Sequence, residues 1–355
     1  MVRSCVVLDV AAVAQEGAMK VYELRAFGLE HLRLTERPQP SIAGRRVLVR
    51  VRAASINYRD LVMVGGGYGR HTPLPLIPVS DGAGEVVAVG EEVERLAVGA
   101  RVATCMFPHW TSGRPTQAKL HDALGGPLDG TLCELIAADE RALVEVPAWM
   151  SYEQAASLPC AAVTAWSALT GFGSVTAGDT VLVQGTGGVA LFALQFATLL
   201  GARVVVTSSD EGKLARAREL GARGTVNYRT TPNWGKAVRD LTGGVGVDHV
   251  IEVGGAGTLE QSIRATAVGG QISLIGVLGG ARHELHLPRV FLQQIRLQGV
   301  MVGSRETFEH MLRAIDLHRL EPVLDRRRFR FEEAREALAY MEEARHFGKI
   351  CISLQ

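Results

Sequence analysis

A glycine-rich turn between an apolar strand and an apolar helix constrains the fold of this chain more than any other feature. The strand Val181-Leu182-Val183 is followed by the run Gln184-Gly185-Thr186-Gly187-Gly188-Val189-Ala190 and then by a helical pattern. Gly185 permits the tight turn, while Gly187 and Gly188 let backbone N–H groups approach a ligand at a helix N-terminus. The alternative is a plain tight turn, but the surrounding strand and helix favour the pyrophosphate-binding turn of a dinucleotide domain.

Strands and helices alternate after this turn at the spacing of a parallel sheet. Helical crossovers join parallel strands and cover both faces of such a sheet. Predicted strands lie at 203–207, 250–253, 271–275 and 295–302, with predicted helices at about 189–200, 211–220 and 259–267. The sequence therefore predicts an α/β fold in which residues 162–303 form a doubly wound Rossmann domain.

The residues before this domain follow a different pattern. Between residues 19 and 146, short β-branched runs such as Val47–Val51 and Gly84–Gly90 are separated by Gly, Pro and Asp. A capped helix is then predicted from Ser151 to Leu169. A β-rich unit therefore precedes the dinucleotide domain, and a helix joins the two.

The C-terminal segment does not fit into the parallel sheet. It contains two predicted helices, at about 305–317 and 331–343, and a last strand at 349–354. These two helices and the strand do not fit a simple extension of the parallel sheet, so we expect the chain to return to its first domain. The predicted β-rich domain is therefore discontinuous and consists of residues 19–161 and 304–355.

Length and composition narrow the class of protein. A chain of 355 residues with 47% hydrophobic and 21% charged residues is typical of a two-domain globular protein. The net charge of +1 argues against nucleic-acid binding, and no stretch reaches the about 18 apolar residues of a membrane span. Residues 1–18 are a predicted extension, disordered or loosely attached, because Met19 offers a second start. Five scattered cysteines without a CxxC pair favour a cytoplasmic protein.

The end of the second strand of the dinucleotide domain indicates which nicotinamide cofactor binds. An Asp or Glu at this position would hydrogen-bond the ribose 2′-hydroxyl of NAD. The strand instead ends in Thr207-Ser208-Ser209, and Lys213 lies one turn into the next helix, where its ammonium suits a 2′-phosphate. Asp210 is the counterargument, although it lies two residues past the expected position and is also suited to cap the helix. We therefore expect NADP(H).

Four segments occur in an order and spacing that match a known family. They are Ser55–Asp60, Pro78–Gly84, Leu158–Trp166 and the glycine-rich turn. Together they resemble the zinc-lacking, quinone oxidoreductase-like and NAD(P)-dependent alcohol dehydrogenase-like branch of the medium-chain dehydrogenase/reductase superfamily. The resemblance, which runs from about Met19 to the C-terminus, implies a GroES-like catalytic domain beside the Rossmann domain. It also implies an oxidoreductase that moves a hydride between nicotinamide and a small carbonyl substrate.

The resemblance implies that no metal is bound. Zinc-dependent members of the superfamily hold the catalytic ion with a Cys in the first segment, a His-Glu pair in the second and a Cys in the third. This sequence has Asn57, then Ser80 and Asp81, and only Cys160 at those positions. A catalytic zinc takes three protein ligands, and the four-cysteine structural lobe of relatives is missing too. The alternative is an unorthodox site made of Cys105, His109, His121 and Cys133.

The absence of a Lewis acid favours substrates in which negative charge spreads over a conjugated system, as in quinones and α,β-unsaturated ketones. By resemblance, Asn57 hydrogen-bonds near the nicotinamide or the substrate oxygen, and Tyr68 lines the active cleft. Tyr58 is a further candidate donor, and Asp60 is a candidate for orienting the loop. Simpler roles compete, because Asn57 is also suited to satisfy loop backbone, Asp60 to cap a helix from Leu61, and Tyr58 to pack as an ordinary aromatic.

Further cofactor contacts follow from the fold and from the resemblance. Thr164 is expected under the nicotinamide, Tyr228 near the adenosine phosphate and Lys349 near the phosphates. The remaining candidates end successive parallel strands, where ligands sit in such sheets, or present backbone to the carboxamide. They are Val253, Gly254, Ile275, Gly276, Val277, Val300 and Val302, for which core packing is the competing role.

Two alternatives to an NADPH-dependent reductase of quinones or enones stay open. One is a zinc-free alcohol dehydrogenase that acts on an activated alcohol, and the other is a non-catalytic NADPH-binding protein with a structural or interaction role. The intact glycines and the polar Asn57 argue against the second. The last strand of the Rossmann domain, at 295–302, is an expected edge that pairs with its copy, so we predict a homodimer.

Overall fold

The computed structural model describes residues 17–68, 72–171 and 173–354. Within these residues the strands form a two-stranded, a seven-stranded and a six-stranded sheet. The fold is α/β and combines a β-rich GroES-like domain with a Rossmann domain, as predicted. Most of the predicted extension lies outside the described residues, which enter the first strand at Ala18. Among the described residues, no helix is both long and apolar enough to cross a bilayer.

The β-rich domain begins with seven strands and three short helices of the described chain. In chain order they are β1 (Ala18–Leu24), β2 (Leu32–Pro38), β3 (Arg46–Ile56), α1 (Tyr58–Val64), β4 (Asp81–Val89), β5 (Arg101–Thr104), α2 (Gln117–Leu120), β6 (Leu135–Asp139), β7 (Leu143–Glu145) and α3 (Tyr152–Ala156). The central strand β3 pairs antiparallel with both β4 and β6. Val51 and Ile56 of β3 are buried in the apolar core of this domain. The end of β3 therefore has a fixed position, and α1 follows it directly.

The Rossmann domain follows with helices and strands in alternation. Its elements are α4 (Val163–Thr170), β8 (Thr180–Gln184), α5 (Gly188–Leu199), β9 (Arg203–Ser208), α6 (Glu211–Glu219), β10 (Gly224–Asn227), α7 (Trp234–Leu241), β11 (Val247–Glu252), α8 (Leu259–Ala265), β12 (Thr266–Leu274), α9 (Leu287–Leu292) and β13 (Arg296–Gly299). The strands are parallel, in the spatial order β10-β9-β8-β11-β12-β13. The predicted doubly wound sheet is confirmed. Its order reverses between β8 and β11, which is where such sheets bind ligands.

The central strands of this sheet are buried on both faces. Val181, Leu182 and Val183 of β8 have no exposed surface, in keeping with a continuous apolar run in a parallel sheet. The apolar helix α5 packs between this sheet and α4, and Trp166 meets Phe196 edge-on with ring centroids 5.2 Å apart. This packing fixes the N-terminus of α5 at the end of β8.

The single helix predicted over 151–169 is interrupted. Ser151 caps α3 as expected, but a π-helical turn at Leu158–Ala162 separates α3 from α4. Pro159 lacks the N–H group that an α-helical ladder needs, which explains why the regular pattern fails here. The turn brings Cys160 to the boundary between the two domains.

The chain then returns to the first sheet. The last elements are α10 (Arg305–His318), β14 (Phe329–Arg330), α11 (Ala334–Glu342) and β15 (Ile350–Ser353). β15 pairs antiparallel with β3, and β14 pairs with β15. The seven-stranded sheet is therefore completed by strands from both ends of the described chain. The domain boundaries at residues 161 and 303 stay predictions.

Candidate active site

The glycine-rich turn meets the β-rich domain through the segment that leads into β15. The backbone N–H of Gly348 donates to the carbonyl oxygen of Thr186 over 3.0 Å, and Gly187 and Gly348 form a β-bridge. Lys349 follows, and a Cβ on Gly188 would lie only 2.6 Å from the Lys349 Cδ. The Lys349 stem therefore lies against the start of α5, at a distance that a glycine permits.

The turn itself has the geometry that a pyrophosphate requires. Gly185 has a φ of 77°, in the left-handed region that glycine adopts without strain. Gly187 is the N-cap of α5, and no described side chain caps this helix start. The nearest described atom to a Cβ placed on Gly187 is Nε2 of His346, at 3.8 Å. Uncapped backbone donors and open space at one helix N-terminus fit the pyrophosphate of a dinucleotide.

Behind the turn, a buried polar network joins the ends of β8 and β11. Glu252 has no exposed surface, and its Oε1 accepts hydrogen bonds from the Gly254 N–H over 2.8 Å and from Thr258 Oγ1 over 2.6 Å. Its Oε2 accepts from Gln184 Nε2 over 2.7 Å. Gln184 Oε1 in turn accepts from the Val253 N–H over 3.2 Å. The network fixes the loop after β11 at the point where the strand order reverses.

Sequence reasoning missed three residues of this region, Gln184, Glu252 and His346. A Gln and a Glu that end two otherwise apolar parallel strands are a usable signal, because such positions border the ligand crevice. His346 carries no such signal, since only the bridge between Gly187 and Gly348 brings its ring to the turn.

On the β-rich side, Asn57 and Lys349 form a buried pair, with 9% and 3% of their surfaces exposed. The Lys349 ammonium donates to Asn57 Oδ1 over 2.6 Å and to the carbonyl oxygen of Ile56 over 2.8 Å. Its Nζ also lies 3.7 Å from Asp81 Oδ2, which accepts a hydrogen bond from the Cys160 N–H over 3.2 Å. The ammonium is therefore held between a carboxylate and two neutral oxygens.

The other predicted catalytic residues lie around α1. α1 begins at Tyr58 with Asn57 as its N-cap, so the expectation that Asp60 caps a helix from Leu61 is wrong. Asp60 is the third residue of α1 and has no exposed surface, and its Oδ2 accepts from the Asn57 N–H over 2.8 Å in a capping box. Its Oδ1 contacts Arg59 at 3.0 Å. Tyr58 and Tyr68 are 50% and 55% exposed, and the Arg59 Cζ lies 5.8 Å from the centre of the Tyr68 ring. Asp60 thus positions Asn57, while the two phenols are accessible to solvent.

The predicted 2′-phosphate residues lie at the end of β9 and the start of α6. Ser208 is buried and its hydroxyl accepts from the Asp210 N–H over 3.3 Å, while Ser209 is half-buried. Asp210 caps α6 by accepting from the Lys213 N–H over 2.8 Å, so its carboxylate is engaged by the helix. The Lys213 ammonium donates to the carbonyl oxygen of Ala344 over 2.9 Å, and burial lowers its pKa.

The remaining predicted cofactor residues divide into exposed and buried groups. Tyr228 and Val277 are exposed, whereas the side chains of Val300 and Val302 are buried in the core, and the Val300 N–H donates to the Leu274 carbonyl oxygen over 3.0 Å. Thr164 is buried, and its hydroxyl donates to the Cys160 carbonyl oxygen over 2.6 Å. Val253, Ile275 and Gly276 lie at or beyond strand ends and are half-buried, and Gly254 is buried. Val189 is half-buried in the first turn of α5.

The unorthodox metal site is not assembled. His109 and His121 contact Asp122 at 3.2 and 2.6 Å, and both imidazoles are largely exposed. Burial raises the pKa of the Cys105 thiol to about 12 and also raises that of the Cys133 thiol. Among the described residues, no group of three or more His, Cys, Asp or Glu side chains is arranged to hold a metal ion.

Comparison with known proteins defines the family. Residues 43–148 match the model of the alcohol dehydrogenase GroES-like domain, and residues 188–316 match that of the zinc-binding dehydrogenases. A zinc-type alcohol dehydrogenase-like protein of Schizosaccharomyces pombe is 43% identical over 316 residues, which cover 87% of this chain and 90% of that protein. This chain is an alcohol dehydrogenase-like member of the medium-chain dehydrogenase/reductase superfamily.

Solved structures agree with this membership. A candidate alcohol dehydrogenase from Sinorhizobium meliloti 1021 is 40% identical, with a TM-score of 0.90 over 96% of this chain and 99% of that chain. An NAD-dependent alcohol dehydrogenase is 36% identical, with a TM-score of 0.87 over 95% of this chain and 100% of that chain. The superfamily consists of nicotinamide-dependent dehydrogenases, so this member is an oxidoreductase, and the resemblance to the alcohol dehydrogenase-like branch of the superfamily is confirmed.

The zinc-ligand positions of this dehydrogenase hold a different arrangement. Asn57 Oδ1 accepts from the Lys349 ammonium, and Ser80 Oγ donates to Asp81 Oδ1 over 2.7 Å. Burial raises the pKa of the Cys160 thiol to about 12. A metal ion here would meet the positive charge of Lys349 beside its first ligand position. The residues at these positions therefore do not fit a catalytic zinc.

Proposed function

We propose that this oxidoreductase transfers a hydride from NADPH to a conjugated carbonyl compound, a quinone or an enone, without a catalytic zinc. The observation that carries the proposal is the Lys349 ammonium, which bonds Asn57 Oδ1 at 2.6 Å where zinc-dependent members have a metal ligand. When bound, the nicotinamide supplies the hydride. The chain's own residues bind the substrate, orient it and stabilise the negative charge that develops on its oxygen.

The stabilising groups of the cleft favour a delocalised anion. Reduction of a conjugated carbonyl spreads the charge over an enolate or a hydroquinone anion, whereas an isolated carbonyl places it on one alkoxide oxygen. Hydrogen-bond donors alone stabilise the first more readily than the second. The Asn57 amide accepts from the Lys349 ammonium through Oδ1, and its Nδ2 donor has no hydrogen-bond partner among the described residues. Desolvation raises the pKa of the Tyr68 phenol, so the phenol stays protonated at neutral pH and is a second neutral hydrogen-bond donor.

The test combines metal analysis with a substrate panel. We expect substoichiometric zinc by inductively coupled plasma mass spectrometry, and equal rates of NADPH oxidation before and after treatment with EDTA. The panel contains 1,4-benzoquinone and 2-cyclohexen-1-one, with cyclohexanone as the saturated control, and we expect the control to react far more slowly. Stoichiometric zinc whose removal abolishes turnover would overturn the proposal.

The preference for NADPH is proposed from Ser208, Ser209 and Lys213, because hydroxyls and an ammonium suit a 2′-phosphate. We expect Lys213→Gln to weaken NADPH binding about tenfold and to leave NADH binding unchanged, since the lost contact is charged. Lys236→Gln is the matched control, because Lys236 is exposed on α7 and pairs with Asp240. Fluorescence titration measures both affinities, and an equal loss for NADPH and NADH would contradict the assignment.

An alcohol dehydrogenase is the second candidate. Relatives are described as zinc-type alcohol dehydrogenase-like and as NAD-dependent alcohol dehydrogenase, which favours oxidation of an alcohol. This candidate predicts that the protein oxidises allylic or benzylic alcohols faster than it reduces the quinone and the enone. A non-catalytic protein would bind NADPH and turn over none of these compounds.

We also propose that the protein is a homodimer. β13 is the last strand in the order of the parallel sheet, and Phe291, Leu292 and Met301 beside it are exposed. Exposed apolar side chains next to a strand edge are typical of a surface that a second copy covers. Light scattering should give twice the chain mass for the wild type and the single-chain mass for Phe291→Glu. A single-chain mass for the wild type would exclude the dimer.

A cytoplasmic location is proposed on the chemistry of the cysteines. The cysteines of the described residues, Cys105, Cys133, Cys160 and Cys351, are free thiols. Unpaired buried thiols are typical of a reducing compartment. Cell fractionation tests this location, and recovery from a secreted or membrane fraction would contradict it.

A further inference from the structure

We infer that Lys349 is a positioning residue that sets the orientation of the Asn57 side-chain amide, so that Nδ2 is presented to the oxygen of a bound substrate. The identity of that oxygen rests on the proposed function, whereas the orientation is a property of the protein alone. The inference assigns Lys349 a role at the reacting end of the cleft, besides its expected place near the cofactor phosphates.

The two ends of a side-chain amide differ in hydrogen bonding, because Oδ1 accepts and Nδ2 donates. An ammonium carries three donors and no acceptor, so its 2.6 Å contact with Asn57 requires Oδ1 at that end. Lys349 is held in turn by the carbonyl oxygen of Ile56 at 2.8 Å and by the Asp81 carboxylate at 3.7 Å. A flipped amide would set one buried donor against another, so the ammonium fixes the orientation.

Nδ2 is the end of the amide that the protein leaves unpaired. Asn57 is 9% exposed, and its Nδ2 has no hydrogen-bond partner among the described residues. A buried donor without a partner is costly, and an acceptor on a bound substrate removes that cost. The charge on Lys349 also polarises the amide through Oδ1, which makes the Nδ2 hydrogens better donors. The pair therefore forms a preorganised donor for negative charge on a substrate oxygen.

Asn57 is fixed from two directions. Its backbone N–H donates to Asp60 Oδ2 over 2.8 Å, which ties it to the first turn of α1. Its Oδ1 is tied to Lys349, whose stem lies against Gly188 at the start of α5. Lys349 therefore links the glycine-rich turn to the Asn57 amide, and it fixes the position of this donor relative to the cofactor site.

The orientation is measurable without activity, because the chain contains three asparagines, Asn57, Asn227 and Asn233. Protein labelled with ¹⁵N-asparagine gives three pairs of Nδ2 proton signals, and Asn57→Asp identifies the pair that belongs to Asn57. We expect Lys349→Met to shift this pair and to speed its exchange with water, while the other two pairs stay unchanged. Lys349→Arg, which keeps a cation, is expected to retain slow exchange and serves if Lys349→Met folds poorly.

If the Asn57 Nδ2 signals neither shift nor exchange faster in Lys349→Met, the inference is overturned, whether or not the protein reduces enones. A failure of the proposed function would give a different experimental result. In that case the wild type shows no zinc-independent reduction of the panel, while the Asn57 signals still respond to Lys349→Met.

Enzyme kinetics distinguish a positioning role of Lys349 from simple structural support. The substrate is the compound of the panel that the wild type turns over fastest. Asn57→Asp keeps an acceptor for Lys349 and loses the Nδ2 donor, so we expect kcat to fall about 100-fold with an NADPH Kd within about threefold of wild type. Lys349→Met should lower kcat at least about tenfold, and Lys349→Arg should restore most of that loss. Because both residues act on one donor, the double variant should be no slower than Asn57→Asp alone. Additive losses, or a wild-type kcat for Asn57→Asp, would contradict the inference.

Discussion

His346 lies where the C-terminal segment crosses the glycine-rich turn. Its Nε2 is 3.8 Å from the position of a Gly187 Cβ, and its Nδ1 is buried without a partner among the described residues. Burial lowers the pKa of the imidazole to about 4, helped by the charges of Lys213 and Lys349 and opposed by Asp325. The ring is therefore neutral in the folded protein at neutral pH.

We predict that His346 makes the protein less stable as the pH falls from 6.5 towards about 4. In this window the unfolded state binds a proton at His346 and the folded state does not. The free energy of unfolding then falls by up to about 1.4 kcal/mol per pH unit, or about 3 kcal/mol in all. Urea unfolding across this window should show that His346→Gln removes this part of the slope. His318→Gln, at the exposed end of α10, should keep the wild-type slope, and a wild-type slope for His346→Gln would refute the prediction.

Local roles of single residues were readable from the sequence, and long-range contacts were not. Asp210 caps α6 as the sequence suggested, because a helix cap depends on a spacing of three residues that the sequence displays. The start of α1 was placed three residues too late, since Asn57 is its N-cap and Asp60 lies in its first turn. Asn57 and Lys349 were each named from their own segments. Their contact joins residues 292 positions apart, and no local pattern encodes it.

Among the elements, β3 and β4 approach each other unusually closely. A Cβ on Gly84 would clash with the carbonyl oxygen of Arg50 across the pair. The register also shifts between Val51 and Ala53, next to this point. Because β4 begins at Asp81, the path of this strand determines where the carboxylate beside Lys349 lies.

We predict that Gly84→Ala destabilises the protein by about 3 kcal/mol or more, because the obstructing atoms are backbone and cannot move aside as a side chain can. Gly299→Ala is the control, since nothing lies within 4 Å of a Cβ at that position. We expect that control to change stability by less than about 0.5 kcal/mol. Chemical denaturation compares the two variants, and equal stabilities would show that β4 has room to adjust.

The pair β8 and β11 depends on the carboxylate of Glu252. We predict that Glu252→Gln costs about 3 kcal/mol, because its new amide donor would face the donors of Gln184 and Ser262 in a buried network. Glu260→Gln is the matched control, since Glu260 is one-third exposed and pairs with Arg264 and Arg289, so a loss below about 1 kcal/mol is expected. Thermal or urea unfolding measures the stability of both variants, and a Glu252→Gln variant as stable as the wild type would refute the prediction.

The regular elements of the Rossmann domain followed from hydrophobic pattern, because long apolar strands and helices have a clear period. β10, α7 and α9 were missed. β10 has four residues, and Gly224 and Asn227 at its ends are disfavoured in strands. Tertiary packing stabilises it instead, since Val226 joins Trp234 and Val238 of α7 in one buried cluster. The π-helical turn before α4 was missed because a single proline changes the pattern.

For the whole molecule, the cofactor site couples the two domains. The glycine-rich turn belongs to the Rossmann sheet, and Asn57 and Lys349 belong to the sheet that contains β3 and β15. The hydrogen bond from the Gly348 N–H to the Thr186 carbonyl oxygen joins the two domains. A ligand bound at the turn therefore lies where the two domains meet.

We predict that NADPH at 100 times its Kd raises the free energy of unfolding by about 2.7 kcal/mol and that both domains unfold in one transition. Gly188→Val should abolish this effect, because its side chain would collide with the Lys349 stem and with Ala161. Gly299→Ala should preserve it. Differential scanning calorimetry is the measurement, and two transitions of which NADPH moves only one would disprove the coupling.

The pairing of β15 with β3 imposes an order on synthesis. Ser55 and Ile350, which share a hydrogen bond, are 295 positions apart, and every strand of the parallel sheet is encoded between them. A ribosome therefore delivers the entire Rossmann domain before β15 emerges. Until then the Ala53–Ile56 half of one β3 edge is uncovered, because β6 pairs only with Arg46–Arg50, and chaperones that shield exposed strand edges have their longest opportunity to bind at this stage.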